Sequence, residues 1–391
     1  MADAQDNEYR KLSGMAMRLC IELGYHRSVS RYRRHANPLV AEISKRCFWV
    51  AYDIDRMISF YLGRPIGISD DWIDVELPLD LDDQCISATR ISHEMKTTPT
   101  TMITGALHMI KLRKIWTVIS TTVYSPVQQS SDTTLHPKRL RTESISQEID
   151  QWYRSSPIYP PCPSLNPMSV YATSDWFWLA NAHTVLILYR YWLVHDPAST
   201  DDPFIDRAFC ICQTTSQQMC FKYRKLFRTP NLQFTWNLVH VLFLAGITYI
   251  YCIWKSPKLR RETRHIDVVN TCVACHTVLV IVAERWPHAA GIRSIFEFLW
   301  EKTIELVYGE EGARRPLQAG QEREEGDVQP HMMQDWLIGL EDTAFSQDSD
   351  HLLLELLGEV GDGAWDPHMF QVGGTTPFDE GVMVQNGQFE P

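Results

Sequence analysis

Hydrophobic residues recur at helical spacing through most of the first 310 residues of this chain. Leu12, Met15, Leu19 and Leu23 make one row. Asp6 or Asn7 is suited to cap its start, and Gly24 stands where a left-handed C-terminal cap is wanted. After Pro38 a second row, Ile43, Cys47, Val50, Ile54 and Met57, forms a one-sided stripe. Glu42 with Arg46, and Asp53 with Arg56, are spaced to pair along the same helix, which Gly63 and Pro65 end. A third helix is predicted over Met102 to Tyr124, and a long one from a Ser174 cap to Asp196-Pro197. Four more follow at about 204–227, 232–254, 264–286 and 291–308. No stretch alternates apolar and polar residues as a half-buried strand does, so the expected fold class is all-α.

Two segments break the helical rhythm. Residues of about 125–170 carry seven prolines from Pro126 to Pro167 and read as a long Pro-rich loop. One short helix interrupts it, with a Ser144/Gln147 capping box and Ile145, Ile149 and Trp152 on one face. The last 81 residues, 311–391, hold 17 acidic and 3 basic residues, a charge of −14 that leaves +3 on the rest of the chain. Short apolar clusters at Asp335 to Ile338, Leu352 to Leu357 and Trp365 to Phe370 punctuate this acidity. Acidic residues interleaved with bulky apolar ones are the composition of a largely disordered activation tail. The predicted organisation is a helical domain over 1–310 and an acidic tail over 311–391. A tail of this charge is repelled by phosphate and cannot supply a nucleic-acid footprint.

The start of the chain lacks the basic-then-apolar order of a secretory signal, so its ten cysteines are expected to be reduced and buried. Leu238 to Trp254 is nearly apolar but shorter than the about 20 residues of a membrane span, and it contains His240 and Thr248. It is expected to be a buried core helix, with no membrane partner. Asp70-Asp71-Trp72-Ile73-Asp74 spells the D-D-x-x-D with which class I terpene synthases hold Mg²⁺. It falls in a predicted turn without the second metal motif of such enzymes, which leaves a terpene-synthase-like enzyme as a minor alternative. Cys272-Val273-Ala274-Cys275-His276 matches a haem-attachment pattern but lies in an apolar helical run, where core thiols are the better reading. Lys138, Arg139 and Arg141, in the Pro-rich loop, form a candidate nuclear import signal. A second basic cluster joins Lys255, Lys258, Arg260, Arg261 and Arg264.

Three ordered blocks carry a family resemblance. The first runs from Met15-Ala16 to Leu23-Gly24-Tyr25-His26-Arg27. The second is Arg46, Phe48-Trp49, Tyr52 and Asp55-Arg56. The third is Leu62-Gly63-Arg64-Pro65, then Ile68, Asp71 and Leu77-Pro78. Together they resemble the regulatory middle homology region of fungal zinc-cluster transcription factors. Softer likenesses, at Ile145 to Trp152, His240 to Gly246, Trp286-Pro287, Ala289 and Phe296, extend it over roughly 9–308. The resemblance implies a nuclear, non-enzymatic transcription regulator of a metabolic or secondary-metabolite gene cluster. It also implies homodimers or dimers with a related regulator, and coactivators bound by the acidic tail. Phe48, Trp49 and Tyr52 are expected to be core anchors. Asp55, Arg56 and Arg64 are expected to form a partly buried charge network at the helix end, and Gly63 to supply backbone freedom. No C-x2-C-x6-C run exists in these residues, so no cofactor is expected here. The resemblance places the zinc and the contact with promoter DNA in a module before Met1, along with upstream helices. The alternative is a standalone helical protein acting by dimerisation or by binding a small molecule.

Overall fold

The computed structural model describes residues 2–32, 37–61, 65–92, 100–124, 135–159, 173–195, 202–228, 236–285 and 289–314. The described residues form helices joined by short irregular segments, with one isolated bridge between Ile86 and Ile91 and no strand. The helices are α1 Ala2–Glu22, α2 Val29–Tyr32, α3 Pro38–Tyr61, α4 Thr104–Thr122 and α5 Leu135–Arg154. They continue as α6 Ser174–His195, α7 Pro203–Leu226, α8 Trp236–Lys255, α9 Pro257–Glu262, α10 His265–Arg285 and α11 Ala290–Arg314. Residues 315–391, with the three apolar clusters of the acidic tail, lie outside the described residues.

Packing follows the chain. α1 lies on α3, α3 on α4, α4 on α5, α5 on α6, α6 on α7 and α7 on α8. α10 then closes back onto α7 and α8, and α11 onto α8 and α10. The main core runs from Phe60 on α3 to Val307 on α11. Its centre is α6, which is apolar on all sides and buries Phe177, Leu186, Leu188, Tyr191 and Trp192. Indole N–H groups reach partners inside it, as buried Trp must. Trp116 donates to Thr184 Oγ1 at 2.8 Å, Trp152 to the His108 carbonyl at 2.8 Å, and Trp254 to Thr303 Oγ1 at 2.9 Å. Helix α8 passes through this core, with 72% of the Leu238–Lys255 stretch buried. It and His265–Glu284 are long and apolar enough to cross a membrane by composition; the first is buried as the sequence predicts.

Gly246 explains how closely α8, α10 and α11 approach. A Cβ there would lie 2.6 Å from Phe296 Cε2 and 2.7 Å from Cys275 Sγ, so only hydrogen fits. Gly24 serves the conformational role expected of it, at φ +68°. The Tyr25 N–H bonds the Cys20 carbonyl at 2.8 Å and closes α1 with the six-residue ring of a Schellman turn.

Several boundaries and faces differ from expectation. Helix α1 begins at Ala2, ahead of Asp6 and Asn7. Helix α6 is capped by Thr173, whose Oγ1 accepts from the Trp176 N–H at 3.3 Å, not by Ser174. The interrupting helix of the Pro-rich region spans 20 residues from Leu135, so Ser144 sits in mid-helix and caps nothing. The stripe read on α3 faces outward: Ile43 is 50% exposed and Val50 58%. The helix buries Phe48, Trp49, Tyr52, Asp55 and Arg56 instead. Three large rings, with Trp49 edge to face on both Phe48 and Tyr52, outweigh the aliphatic row for the core, and the charges follow them inward because each finds a partner there.

Candidate functional site

The buried face of α3 meets the extended segment 65–92, and buried charge holds the two together. Arg56, 2% exposed, is the centre. Its Nη1 pairs with Asp55 Oδ2 at 2.7 Å and its Nη2 with Asp70 Oδ1 at 2.8 Å. Nη2 also donates to the Ile68 carbonyl, and Nε to Thr117 Oγ1 of α4 at 3.1 Å. The guanidinium carbon stacks 4.2 Å from the Tyr52 ring. Asp55 accepts the Gly67 N–H at 3.1 Å, and the Tyr52 hydroxyl donates to Asp70 at 3.0 Å. Burial pushes the Tyr52 hydroxyl up to about 12; Arg56 opposes this and Asp70 adds to it. A buried guanidinium is tolerable only when its donors are satisfied in this way.

Three further hooks fix the segment along α3. The Trp49 indole donates to the Glu76 carbonyl at 3.0 Å. Glu42, 2% exposed, pairs with Lys45 at 2.8 Å and Arg46 at 3.3 Å, and accepts the Leu79 N–H at 2.8 Å. At the corner after α1, the His26 carbonyl accepts the Asp74 and Val75 N–H groups, and Arg27 pairs with Asp74 at 3.2 Å. The Glu76 carboxylate takes hydroxyl donors from Ser28 at 2.7 Å and Ser30 at 2.6 Å. Its burial would raise its pKa, but Ser30, Ser28 and the Val29 N–H outweigh that and hold it at about 2. Together these contacts clasp α1, α3 and segment 65–92 into one unit on α4, with Met17, Phe48, Trp49 and Tyr52 in a small core of their own.

Of the residues singled out in the sequence, Gly24, His26, Arg27, Arg46, Phe48, Trp49, Tyr52, Asp55 and Arg56 converge on this clasp. Pro65 opens the clasped segment and Pro78 lies within it, and the Pro65 carbonyl accepts the Ser59 hydroxyl at 3.4 Å. Gly63 and Arg64 lie outside the described residues. Asp53 does not pair with Arg56 as its spacing suggested; it reaches Arg113 of α4 at 2.9 Å. Sequence reasoning missed Asp70, Glu76 and Thr117 as clasp partners. No local spacing marks them, although Asp70 stood in the D-D-x-x-D run. That run is spent on the protein's own cations, Asp70 on Arg56 and Asp74 on Arg27. Among the described residues no group of three or more His, Cys, Asp or Glu is placed to hold a metal ion.

The candidate import signal is not an exposed loop. Lys138, Arg139 and Arg141 lie on α5, where Lys138 is buried and donates to the Tyr191 hydroxyl at 2.8 Å. Arg139 pairs with Asp202 at 2.6 Å, and only Arg141 stays in solvent. The lysine's stem packs on apolar surface while its amine finds an acceptor, which a linear count of charges does not reveal. In the second basic cluster Lys258 pairs with Asp206, Arg264 with Asp267, and Arg260 donates to the last carbonyls of α8. Cys272 and Cys275 are free, buried thiols, raised well above the ordinary range by burial.

Residues 1–154, from α1 to the end of α5, match the family model of the fungal specific transcription factor domain. The chain is similar to the positive regulator of purine utilization of Emericella nidulans, 24% identical over 364 residues, covering 75% of this chain and 33% of that protein. It is also similar to the pyrimidine pathway regulatory protein 1 of Saccharomyces cerevisiae, 28% identical over 244 residues, 61% of this chain and 25% of that protein. A third relative is the activator of stress genes 1 of the same yeast, 25% identical over 312 residues, 75% of this chain and 31% of that protein. The chain thus spans a quarter to a third of the length of these relatives. No solved structure matches it.

Proposed function

Since residues 1–154 match the family model of the fungal specific transcription factor domain, we propose that the chain is the regulatory part of a fungal transcription regulator acting in the nucleus on the genes of a metabolic pathway. The observation that carries this reading is the coincidence of the family match with the clasp: the signature residues are the ones that fix segment 65–92 to α3 and α4. The clasp spends its charges on one another, so its role is to hold a shape that partners read. Contact with promoter DNA falls to a module outside these residues, and zinc belongs with that module. The relatives named for purine utilization and the pyrimidine pathway favour a nutrient or metabolite pathway as the target. The acidic stretch 311–391 serves as the coactivator-binding segment, on the strength of its charge and interspersed aromatic and aliphatic clusters.

The test is a one-hybrid assay. The whole chain and residues 311–391 alone are each fused to an unrelated DNA-binding domain, upstream of a reporter with measurable basal output. The expected result is a change in output with the whole chain and a rise with the tail. Unchanged output from both fusions, with nuclear expression verified, overturns the proposal.

A further inference from the structure

Among the described residues, six hydroxyl side chains stand three positions after an arginine: Ser13, Ser30, Ser59, Thr142, Ser144 and Thr263. Basophilic protein kinases read that spacing with carboxylates that take the arginine while the hydroxyl enters the active site. Ser13, Ser59 and Thr142 are buried, and Ser144 and Thr263 are half-buried. Ser30 alone is exposed, in the four-residue turn of α2, with Arg27 three positions before it. Its hydroxyl is also one that the clasp uses. It donates to Glu76 Oε1 at 2.6 Å, beside the Ser28 hydroxyl at 2.7 Å, and the Val29 N–H reaches Oε2 at 3.1 Å. Asp74 holds the same corner, accepting the Ser28 N–H at 2.9 Å and pairing with Arg27 at 3.2 Å and Arg31 at 3.9 Å. Both arginines sit at the surface, where ion pairs contribute little and yield to an acidic partner.

We infer that Ser30 is a phosphorylation site, and that a phosphate there releases Asp74 and Glu76 from the corner between α1 and α3. In the transfer, Ser30 Oγ attacks the γ-phosphorus of ATP, the bond from that phosphorus to the departing ADP oxygen breaks, and the hydroxyl proton passes to the kinase's catalytic carboxylate. The modified oxygen then has no proton to donate to Glu76. It carries instead a charge of about −1.5 to −2 at hydrogen-bond distance from a carboxylate, and the two repel. Glu76 does not escape by taking up a proton, since its hydrogen-bond donors hold it at about 2. Arg27 and Arg31 leave the singly charged Asp74 for the phosphate, which a guanidinium grips with two N–H groups. The start of the segment stays anchored, because Arg56 still holds Asp70 and the Ile68 carbonyl. The switch is therefore local: it frees the stretch around 72–79 and leaves the helical fold intact. The site rests on the geometry of the corner and goes beyond the regulatory reading, standing whether or not the chain controls transcription.

The full chain is incubated with ATP and a calmodulin-dependent protein kinase, which reads an arginine three positions before its serine, and the phosphate is mapped by mass spectrometry. Label is expected at Ser30 and is expected to be lost in Ser30→Ala. Hydrogen exchange of the 72–79 amides should speed about tenfold on phosphorylation, with helix content by circular dichroism unchanged. Ser30→Glu, which needs no kinase, should speed the same amides in the same direction. Ser30→Ala removes one donor without adding charge and should speed them less than about threefold. No label at Ser30, 72–79 amides that exchange at the unmodified rate in the labelled protein, or an acceleration that Ser30→Ala matches would each overturn the inference.

Discussion

Replacing Arg56 by Met tests whether the charge clasp, and not apolar contact alone, holds segment 65–92 to α3. Met keeps most of the volume, so the cavity contribution is small. The loss is electrostatic. Asp55 has a side chain only 6% exposed and keeps just the Gly67 N–H as a partner. An uncompensated buried carboxylate of this kind costs about 3–5 kcal/mol. Asp70 is a third exposed and recovers water, so its share is below about 1 kcal/mol. The Ile68 carbonyl and Thr117 lose a donor and a partner but contribute less than the carboxylate. With a urea dependence of about 3 kcal/mol/M, the midpoint should fall by about 1–1.7 M. The same measurement on Asp55→Asn/Arg56→Met should recover more than half of the loss, because the double variant removes the orphaned charge. Limited proteolysis should in parallel show Arg56→Met cut within 65–92 faster than wild type. A loss below about 1 kcal/mol, or a double variant no more stable than the single one, would refute the reasoning and return the segment's attachment to Phe48, Trp49 and Tyr52.

Gly246→Ala should destabilise the protein by about 1–3 kcal/mol in thermal or urea melts, since its Cβ meets Phe296 and Cys275 below contact distance; pairing it with Phe296→Leu should restore part of the loss. Acid should destabilise the fold from pH 6.5 downward. Burial, then Arg113 and Arg190, hold His183 down at about 3, so below 6.5 the unfolded chain binds a proton the folded one refuses. At pH 5 this amounts to about 2 kcal/mol, and His183→Phe should flatten the slope in melts run from pH 7 to pH 5. Glu76 has the opposite displacement of a carboxylate: its contribution is complete above its ordinary value of 4.5 and is lost between there and about 2, a window that Glu76→Gln should erase. Among the described cysteines, only Cys47 and Cys210 are exposed, so peptide mapping after brief alkylation of native protein should find label there and none at Cys212, Cys220, Cys252, Cys272 or Cys275.

Helix existence and order are legible because the long helices either repeat their apolar residues at helical spacing, as α3 and α7 do, or run apolar well beyond the length of a strand, as α6 does. The strongest example, α8, was also correctly read as core. The Gly24 cap was legible because a left-handed turn restricts the residue type. What periodicity could not show was which side of α3 is inside. Its outward row is the more regular pattern, and the inward one mixes aromatics with Glu42, Lys45, Asp55 and Arg56. Those charges are buried because partners at 70, 79 and 117 come from other elements, a long-range fact that no local pattern contains. The same holds for Lys138, whose acceptor Tyr191 is 53 residues away.

The neighbour-on-neighbour packing of the helices bears on how the chain is made. From α3 to α8 each helix rests on the one translated just before it. At roughly 10 residues per second a new helix leaves the ribosome every few seconds, far longer than a helix needs to form and dock. The nascent chain can therefore bury each apolar face within seconds of its appearance, and the clasp of α3 on 65–92 closes while α6 is still unmade. Only α10 and α11, which return to α7 and α8, must wait for the end. An error late in synthesis should leave the first 154 residues already folded, a prefix that ribosome-arrested chains of increasing length would reveal through stepwise protection of α3.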